Sequence, residues 1–469
     1  MPAKDQDPKI PPRERTTLSE PLSRRQMLTR AGSWLLAPAL CKTPFAFVQR
    51  KRRQAGQPAQ EKLVWPISGA SMYQDIITYY NFGDHRTGGK ADLRTSDWIA
   101  AELRKTGFTT GFDSFSASQF FVERNTLTVA GKVIGSFPLW PPRPTRPEPI
   151  KAELAAYDPR KPRAAHGKVA LLKFPFDTRA SLSRGSAPFD LINAAARAGA
   201  VAAVAITEGP TGEIIALNSL PDLPPWPIPV LLAPARSEQQ LLDAASQGAD
   251  TTLLLTGRAV TNAEARNVFG RLHSGKKLVV VSTPQSGWFR CAAERGPGIA
   301  LFLGLARYIA RHQIDGSFLF VSTSGHELGQ IGMEHFLRNL APAPKSVAVW
   351  LHLGAGIATW NWTPGTPSGS TFHKVHEVDP HRFLMCSKDL PEVLAPIFEN
   401  LPGLTPQTGL QVGEMELLLK QGYRSFAIAA AHHYHHTPAD NPDLTAPELL
   451  EPVAGALLQA IESIQAEWA

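Results

Sequence analysis

The sequence has few cysteines, few charged residues and no long apolar run. Its three cysteines cannot form the disulfide framework of a small secreted domain. Beyond the N-terminal leader, no segment has about 18 uninterrupted apolar residues, so no membrane-spanning helix is expected there. Charged residues make up 19% of the chain. Residues 1–53 carry 12 Lys or Arg against 4 Asp or Glu, so the net charge of this segment alone, +8, exceeds the net charge of +7 of the whole chain. The remainder is close to neutral, and this argues against a nucleic-acid-binding face.

The basic leader contains a paired arginine, Arg24-Arg25, followed by the short apolar run Trp34–Leu40. A twin arginine, a weakly apolar stretch and small residues at its end resemble a bacterial twin-arginine export signal. The resemblance predicts that residues 1–39 are removed on export and that the protein is periplasmic or extracellular. The polar and basic residues 40–60 are predicted to be a linker. The alternative is a disordered basic arm with an accidental arginine pair.

The three cysteines are widely spaced. Cys41 lies just after the apolar run, whereas Cys291 and Cys386 lie in the globular part. The latter two could form one bridge in an oxidising compartment. The sequence leaves their pairing open and favours two buried free thiols.

The length of 469 residues predicts two or three domains. Residues 61–149 and 259–469 are predicted to form one of them, because apolar strands such as Ser317–Val321 alternate there with helices such as Gly298–Ala310. Strands that are apolar on both faces indicate a mainly parallel sheet flanked by helices. The predicted fold class is therefore α/β.

Residues 150–258 are predicted to be a separate, smaller α/β module. A strand at Gly167–Lys173 is followed by a helix at Phe189–Gly199 and by apolar strands at Ala200–Ile206 and Ile228–Leu232. This order resembles the protease-associated domain, and the Pro-rich run before residue 150 is consistent with a boundary. The alternative is a generic β-α-β unit of a larger sheet.

Two segments near the C-terminal end carry side chains suited to metal chemistry. The strand beginning at Phe318 breaks at Gly325 and presents His326-Glu327, and a later apolar strand leads to His435-His436-Thr-Pro-Ala-Asp440. In an open α/β sheet, ligands bind outside the carboxyl ends of the strands. A glutamate and a histidine delivered to that edge by two segments suggest a metal site.

From about Tyr79 to the C-terminus the sequence resembles metallopeptidase family 28, which includes two-zinc aminopeptidases, glutamate carboxypeptidase relatives and glutaminyl cyclases. The resemblance implies a zinc-exopeptidase-like fold and a site at which carboxylates and imidazoles bind two zinc ions. It also implies a glutamate that takes a proton from metal-bound water.

The site residues differ from the family pattern. No imidazole is present in Ser282–Ser286, where the first histidine ligand is expected, and Glu294 replaces the bridging Asp. At the Glu-Glu pair, the ligand position is kept as Glu327, but the base position is His326. The Asp after the next strand is His352.

The last histidine ligand is kept as His436. We therefore predict a single divalent ion, zinc by preference, bound by Glu327, His352 and His436, with Glu294 near or on it. His326 is the predicted base, and Glu294 is the alternative.

Two carboxylates are predicted to support this site from outside: Asp440 by orienting His436, and Glu414 near the strand ends. Three of the predicted ligands could instead have a purely structural role. Glu327 could cap a helix, His352 could be a core histidine, and Glu294 could pair with Arg295.

The function predicted from these residues is metal-dependent hydrolysis of a peptide or small amide by an exported protein. One alternative is a catalytically inactive binding protein with the same fold. Another is a glutaminyl-cyclase-like enzyme with a single zinc. The sequence does not indicate the oligomeric state.

Overall fold

The computed structural model describes residues 66–273, 278–364 and 372–467. The predicted export signal, the linker and Cys41 lie outside the described residues. No helix in the described residues is long and apolar enough to cross a membrane. Cys291 and Cys386 are both buried and free, and this confirms the expectation of two thiols.

The α-helices of the described residues are numbered along the chain. Their bounds are α1 Gly69–Tyr80, α2 Lys90–Lys105, α3 Ala187–Arg197, α4 Glu238–Ser246, α5 Gly296–His312, α6 Ile331–Asn339, α7 Pro391–Phe398, α8 Glu414–Lys420 and α9 Pro447–Ala466.

The strands are numbered in the same way. Their bounds are β1 Thr109–Val129, β2 Lys132–Ile134, β3 Phe137–Pro138, β4 Ile150–Ala156, β5 Val169–Phe174, β6 Ala202–Thr207, β7 Val230–Pro234, β8 Asp250–Leu272, β9 Leu278–Pro284, β10 Ser317–Thr323, β11 Val347–Leu353, β12 Trp360–Pro364, β13 Phe372–Val378, β14 Phe383–Cys386, β15 Pro406–Gln407 and β16 Ser425–Ala429.

The centre of the main sheet is parallel. Strand β9 lies between β10 and β11, β16 lies beyond β11, and each of these neighbouring pairs is parallel. Every residue of β10 and β11 is buried, because helices cover both faces of the sheet. Helix α5 packs there with most of its residues buried, including Phe302 and Leu305. The predicted α/β class with a mainly parallel sheet is confirmed.

Two very long antiparallel strands flank the parallel part. Strands β1 and β8 have 21 and 23 residues and pair along almost their whole length, from Thr109 with Arg271 to Val129 with Thr251. Only the end of β8 near Leu272 pairs with β10. Irregularities follow Ala117 and Val122, where the ladder shifts its register.

The segment 150–258 contains its own parallel strands and a small core. Strands β5, β6 and β7 are parallel neighbours, and α3 packs on them through a core that includes Leu172, Ile192 and Leu232. Strand β4 pairs with β5 on one side and with β8 near Asp250 on the other. The hydrogen-bonded ladder is therefore continuous through β4. The assignment of 150–258 as a protease-associated domain that folds independently stays a prediction.

Candidate metal centre

Most of the predicted site residues follow the carboxyl ends of parallel strands, whereas His352 lies within β11 and Glu414 begins α8. Strand β10 ends at Thr323, and the chain turns at Gly325, which has φ +83°. A side chain at Gly325 would be strained by that φ and would meet Ile331 at 2.6 Å. The turn leads into a short 3₁₀ helix, His326–Leu328, in which Glu327 is only 2% exposed.

The shortest contacts between predicted ligands join Glu294 and His436. His436 Nε2 lies 3.4 Å from Glu294 Oε1, and the His436 backbone N–H donates to Oε2. Within the described residues, one group of three possible ligands has its donor atoms within 4.8 Å of one another, and it consists of Glu294, His435 and His436. We call these three residues the donor group.

The donor group fits a metal ion by its unpaired atoms. In the described part of the chain, the buried ring nitrogens His436 Nε2 and His435 Nδ1 have no hydrogen-bond partner, whereas Glu294 Oε1 is paired with Arg295 Nη2 at 3.0 Å. The other ring nitrogen of His436, Nδ1, lies 3.0 Å from the carbonyl oxygen of Ala216. A proton on Nδ1 satisfies that contact and leaves a lone pair on Nε2. One carboxylate and two imidazoles are a common ligand set of catalytic zinc.

Glu294 is ionised in this environment. Burial raises the pKa of its carboxyl, but the Arg295 guanidinium, followed by His436 and His435, holds that pKa well below its ordinary value. Glu294 also lies two residues before the start of α5, and the N-terminus of a helix favours negative charge.

Arg295 lies between two carboxylates. Its Nη2 is 3.0 Å from Glu294 Oε1 and 3.4 Å from Glu327 Oε1, and its Nε–H donates to the carbonyl of Ser286 at 2.9 Å. The side chain of Arg295 is 1% exposed. Thr87 donates its hydroxyl to the other oxygen of Glu327 at 3.4 Å. Glu327 is therefore joined to the donor group through a guanidinium.

Asp440 supports Glu294 rather than His436. Its two oxygens accept the backbone N–H groups of Ala293 at 2.7 Å and Glu294 at 2.9 Å. Burial raises the pKa of Asp440 well above its ordinary value. The predicted contact between Asp440 and His436 is replaced by another one, because the carbonyl oxygen of Ala216 faces Nδ1 of His436.

Glu414 organises a second set of side chains, the Glu414 group. Its Oε1 lies 3.1 Å from His326 Nδ1, and Thr323 donates its hydroxyl to both carboxylate oxygens. His352 Nδ1 lies 2.9 Å from the hydroxyl oxygen of Ser282 and 3.8 Å from Glu414 Oε2. Glu414 therefore supports two of the predicted site residues directly.

The predicted ligands do not all lie in one group: His436 and Glu294 belong to the donor group, and His352 belongs to the Glu414 group. Within the described residues, Glu327, His352 and His436 do not form a group of donors close enough to share an ion. His352 belongs to the Glu414 group, because Ser282 and Glu414 face its Nδ1. The predicted convergence of these three residues is therefore corrected to the donor group.

The predicted base is also poorly suited to its role. Burial, with the nearby Arg295 charge, lowers the pKa of His326 to about 3. Burial likewise lowers the pKa of His352 to about 4. An imidazole with so low a pKa is a weak base at neutral pH.

His435 is the member of the donor group that sequence reasoning missed. Its ring stacks on that of His436 with centroids 4.0 Å apart. The run His432–His436 could have indicated it, but only the histidine in the family position was taken as a ligand.

A loop from the smaller α/β segment lies over both ligand turns. We call residues 214–221 the covering segment. The N–H of Ala216 donates to the His436 carbonyl at 2.9 Å, and the N–H of Ser219 donates to the Glu327 carbonyl at 2.8 Å. The indole N–H of Trp288 donates to Asn218 Oδ1 at 2.9 Å. These contacts place the covering segment against both the donor group and Glu327.

The sequence matches no protein-family model and no curated protein sequence. Solved structures share its fold over most of their length. A zinc aminopeptidase from Bacillus subtilis has a TM-score of 0.66 and 19% identity, over 85% of this chain and 95% of that chain. A peptidase M28 precursor from Shewanella amazonensis has a TM-score of 0.65 and 14% identity, over 84% and 93%. An aminopeptidase from an Aneurinibacillus strain has a TM-score of 0.55 and 16% identity, over 84% and 93%. The chain therefore has an M28-like metallopeptidase fold.

Proposed function

We propose that this chain, which has the fold of the zinc aminopeptidases, is a hydrolase of peptide or small amide bonds that uses one divalent ion, zinc by preference. The observation that carries the proposal is the donor group, in which a buried carboxylate lies beside two imidazoles that each keep a buried ring nitrogen without a hydrogen-bond partner. Buried polar atoms are rarely left unpaired unless a ligand or an ion satisfies them.

The proposed ligands are Glu294, His435 and His436. An ion held there would polarise a scissile carbonyl and lower the pKa of a bound water. The chain holds these donors in place through Asp440, which accepts two N–H groups of the Glu294 turn, and through the Ala216 carbonyl, which fixes the His436 ring.

Glu327 is the residue proposed to hold a proton during the reaction. Its Oε1 and that of Glu294 contact the same Arg295 nitrogen, so Glu327 lies next to the donor group without belonging to it. His326 faces Glu414 instead, and burial lowers its pKa to about 3. We therefore assign the base to Glu327, in place of the predicted His326 and its alternative, Glu294.

Peptides are the proposed substrates, because zinc aminopeptidases are among the solved proteins with this fold. The test is elemental analysis of the purified protein together with assays on a panel of aminoacyl and peptide substrates. We expect about one equivalent of metal and hydrolysis that a chelator abolishes. Glu294→Gln should lose both, whereas Glu399→Gln, at an exposed position outside the site, should lose neither.

A non-catalytic peptide-binding protein is the second candidate. The specific observation in its favour is Arg295, whose guanidinium pairs with both Glu294 and Glu327 without any metal. That function predicts peptide binding without cleavage and no bound metal. Absence of metal and of hydrolysis across the panel would contradict the hydrolase proposal and support this one.

Export is part of the proposal. The paired Arg24-Arg25 and the apolar run after it support translocation by the twin-arginine route to the periplasm or the exterior. Such an environment is compatible with the two free thiols only if they are protected, and both Cys291 and Cys386 are buried.

A further inference from the structure

Arg295 is an unusual component of a centre proposed to bind a cation. Arginine cannot lose its proton in a protein and offers no lone pair, so it cannot be a metal ligand. Its guanidinium is nevertheless within 3.4 Å of two buried carboxylates, and one of them is a proposed ligand. Its presence there needs a physical explanation.

The charges of Glu294 and Glu327 provide one. Both side chains are at most 2% exposed, and two buried carboxylates close together repel each other and lose their hydration. A cation must compensate them for both to remain ionised. The cation that the chain itself supplies is Arg295, and both carboxylates contact its Nη2.

The position of Arg295 is fixed by its surroundings. The residue directly precedes α5, its backbone N–H donates to the Cys291 carbonyl at 3.0 Å, and its Nε–H donates to the Ser286 carbonyl at 2.9 Å. A residue held at its backbone and at Nε cannot swing its guanidinium out of the site without breaking these bonds. It therefore acts as a permanent charge rather than as a mobile one.

We propose that Arg295 takes the place of a second divalent ion: its guanidinium links Glu294 to Glu327 and so limits the centre to one metal. The inference rests on the proposed function for that one metal. An ion placed between the two carboxylates would occupy the volume of the guanidinium and would be repelled by its charge. His436 Nε2 contacts the same Glu294 oxygen as Arg295, at 3.4 Å, and the donor group keeps its unpaired imidazole nitrogens.

The test counts metal ions in two variants at this position. Arg295→Gln removes the charge and leaves Glu294 and Glu327 facing an uncompensated space, and we expect it to bind one equivalent more than the wild type. Arg295→Lys keeps the charge and should bind the wild-type number. Elemental analysis gives the count, and titration with Co²⁺, followed by visible absorption, shows whether the added ion has protein ligands.

A matched control exists elsewhere in the chain. Arg307 also joins two carboxylates, Asp75 and Glu102, but it is 30% exposed and the donor group lies elsewhere. Arg307→Gln should gain no ion, because this site is partly open to water and salt, which can compensate its two carboxylates. Equal gains in Arg307→Gln and Arg295→Gln would overturn the proposal.

Folding defects are also informative. If Arg295→Gln is unfolded in metal-free buffer, Zn²⁺ should restore its structure, measured by circular dichroism, because the ion would replace the missing charge. Failure of Zn²⁺ to restore it, or an unchanged metal count in a folded variant, would contradict the inference. A wild type without metal would contradict the proposed function, whereas a gain of one ion in Arg295→Gln would still support the role of Arg295.

Discussion

Nδ1 of His326 lies 3.1 Å from Oε1 of Glu414, a residue 88 positions further along the chain. This contact ties the turn after β10 to the first residue of α8. Glu414 is completely buried and also accepts the hydroxyl of Thr323. Glu414 therefore stabilises the turn that carries Glu327 through its contacts with His326 and Thr323, and it is not a member of the donor group.

Removal of Glu414 should destabilise the protein. Glu414→Ala leaves the Thr323 hydroxyl and the His326 ring without their buried partner, which should lower the free energy of unfolding by about 1–3 kcal/mol. Urea denaturation measures the change. Glu416→Ala is the control on the same helix, because Glu416 is 43% exposed and forms a surface ion pair with Lys420. Its effect should stay below about 1 kcal/mol, and similar losses in both variants would contradict the assignment.

The donor group should determine metal affinity residue by residue. His436→Ala and His435→Ala each remove one of three ligands, so each should weaken binding by more than the roughly 10–100-fold caused by loss of a supporting residue. His433→Ala is the matched control within the same histidine run, since His433 is outside the donor group. Competition with a fluorescent zinc chelator measures the affinities. Wild-type affinity in His435→Ala would exclude His435 as a ligand.

Asp92 should make stability depend on pH. Burial raises its pKa from 3.8 to about 7, despite hydrogen bonds from Ser324, Gln285 and the Gly88 N–H. Between pH 4 and 7 the folded state then keeps a proton that the unfolded state releases. The free energy of unfolding contributed by Asp92 should therefore fall as the pH rises through this window, by up to about 1.4 kcal/mol per pH unit.

Asp92→Asn should flatten this dependence, because an amide does not titrate. Denaturation curves at pH 4 to 7 give the comparison, and Asp97→Asn is the control on the same helix, since Asp97 is exposed. An unchanged slope in Asp92→Asn would mean that other groups produce the dependence.

Export should require the paired arginines. Replacement of Arg24 and Arg25 by lysine keeps the charge but removes the pair that the twin-arginine route recognises, so the precursor should accumulate in the cytoplasm. Fractionation and immunoblotting measure the distribution. Replacement of Arg52 and Arg53 by lysine is the control, because those residues follow the predicted signal. A normal periplasmic yield in the first variant would rule out this route.

Local patterns were sufficient for the parallel core. The helix predicted at Gly298–Ala310 lies within the observed α5, and the strand predicted at Ser317–Val321 lies within β10. Both segments are apolar enough to be buried whatever their neighbours are, so sequence alone identifies them. The long pairing of β1 with β8 was not predicted, since it joins residues such as Phe115 and Ala265 that are far apart in sequence.

The site was predicted only in part, because some of its contacts depend on residues that are far apart in sequence. Glu294 and His436 are adjacent, as expected of residues that follow strand ends at the same edge of the sheet. His352 was misplaced because its ring direction depends on Ser282 and Glu414, which lie on other elements. The ion pair of Arg295 with Glu294 was weighed from sequence as an alternative, but its second contact, with Glu327, depends on the tertiary fold.

The covering segment has a thermodynamic consequence. Ala216 and Ser219 bond to the carbonyls of His436 and Glu327, so docking of this loop and ordering of the two turns are coupled equilibria. The coupling is reciprocal, so ordering of the turns favours docking of the loop by the same coupling free energy as docking favours their order. Occupancy of the centre should thus be visible outside its ligands, as slower amide hydrogen exchange at residues 216 and 219.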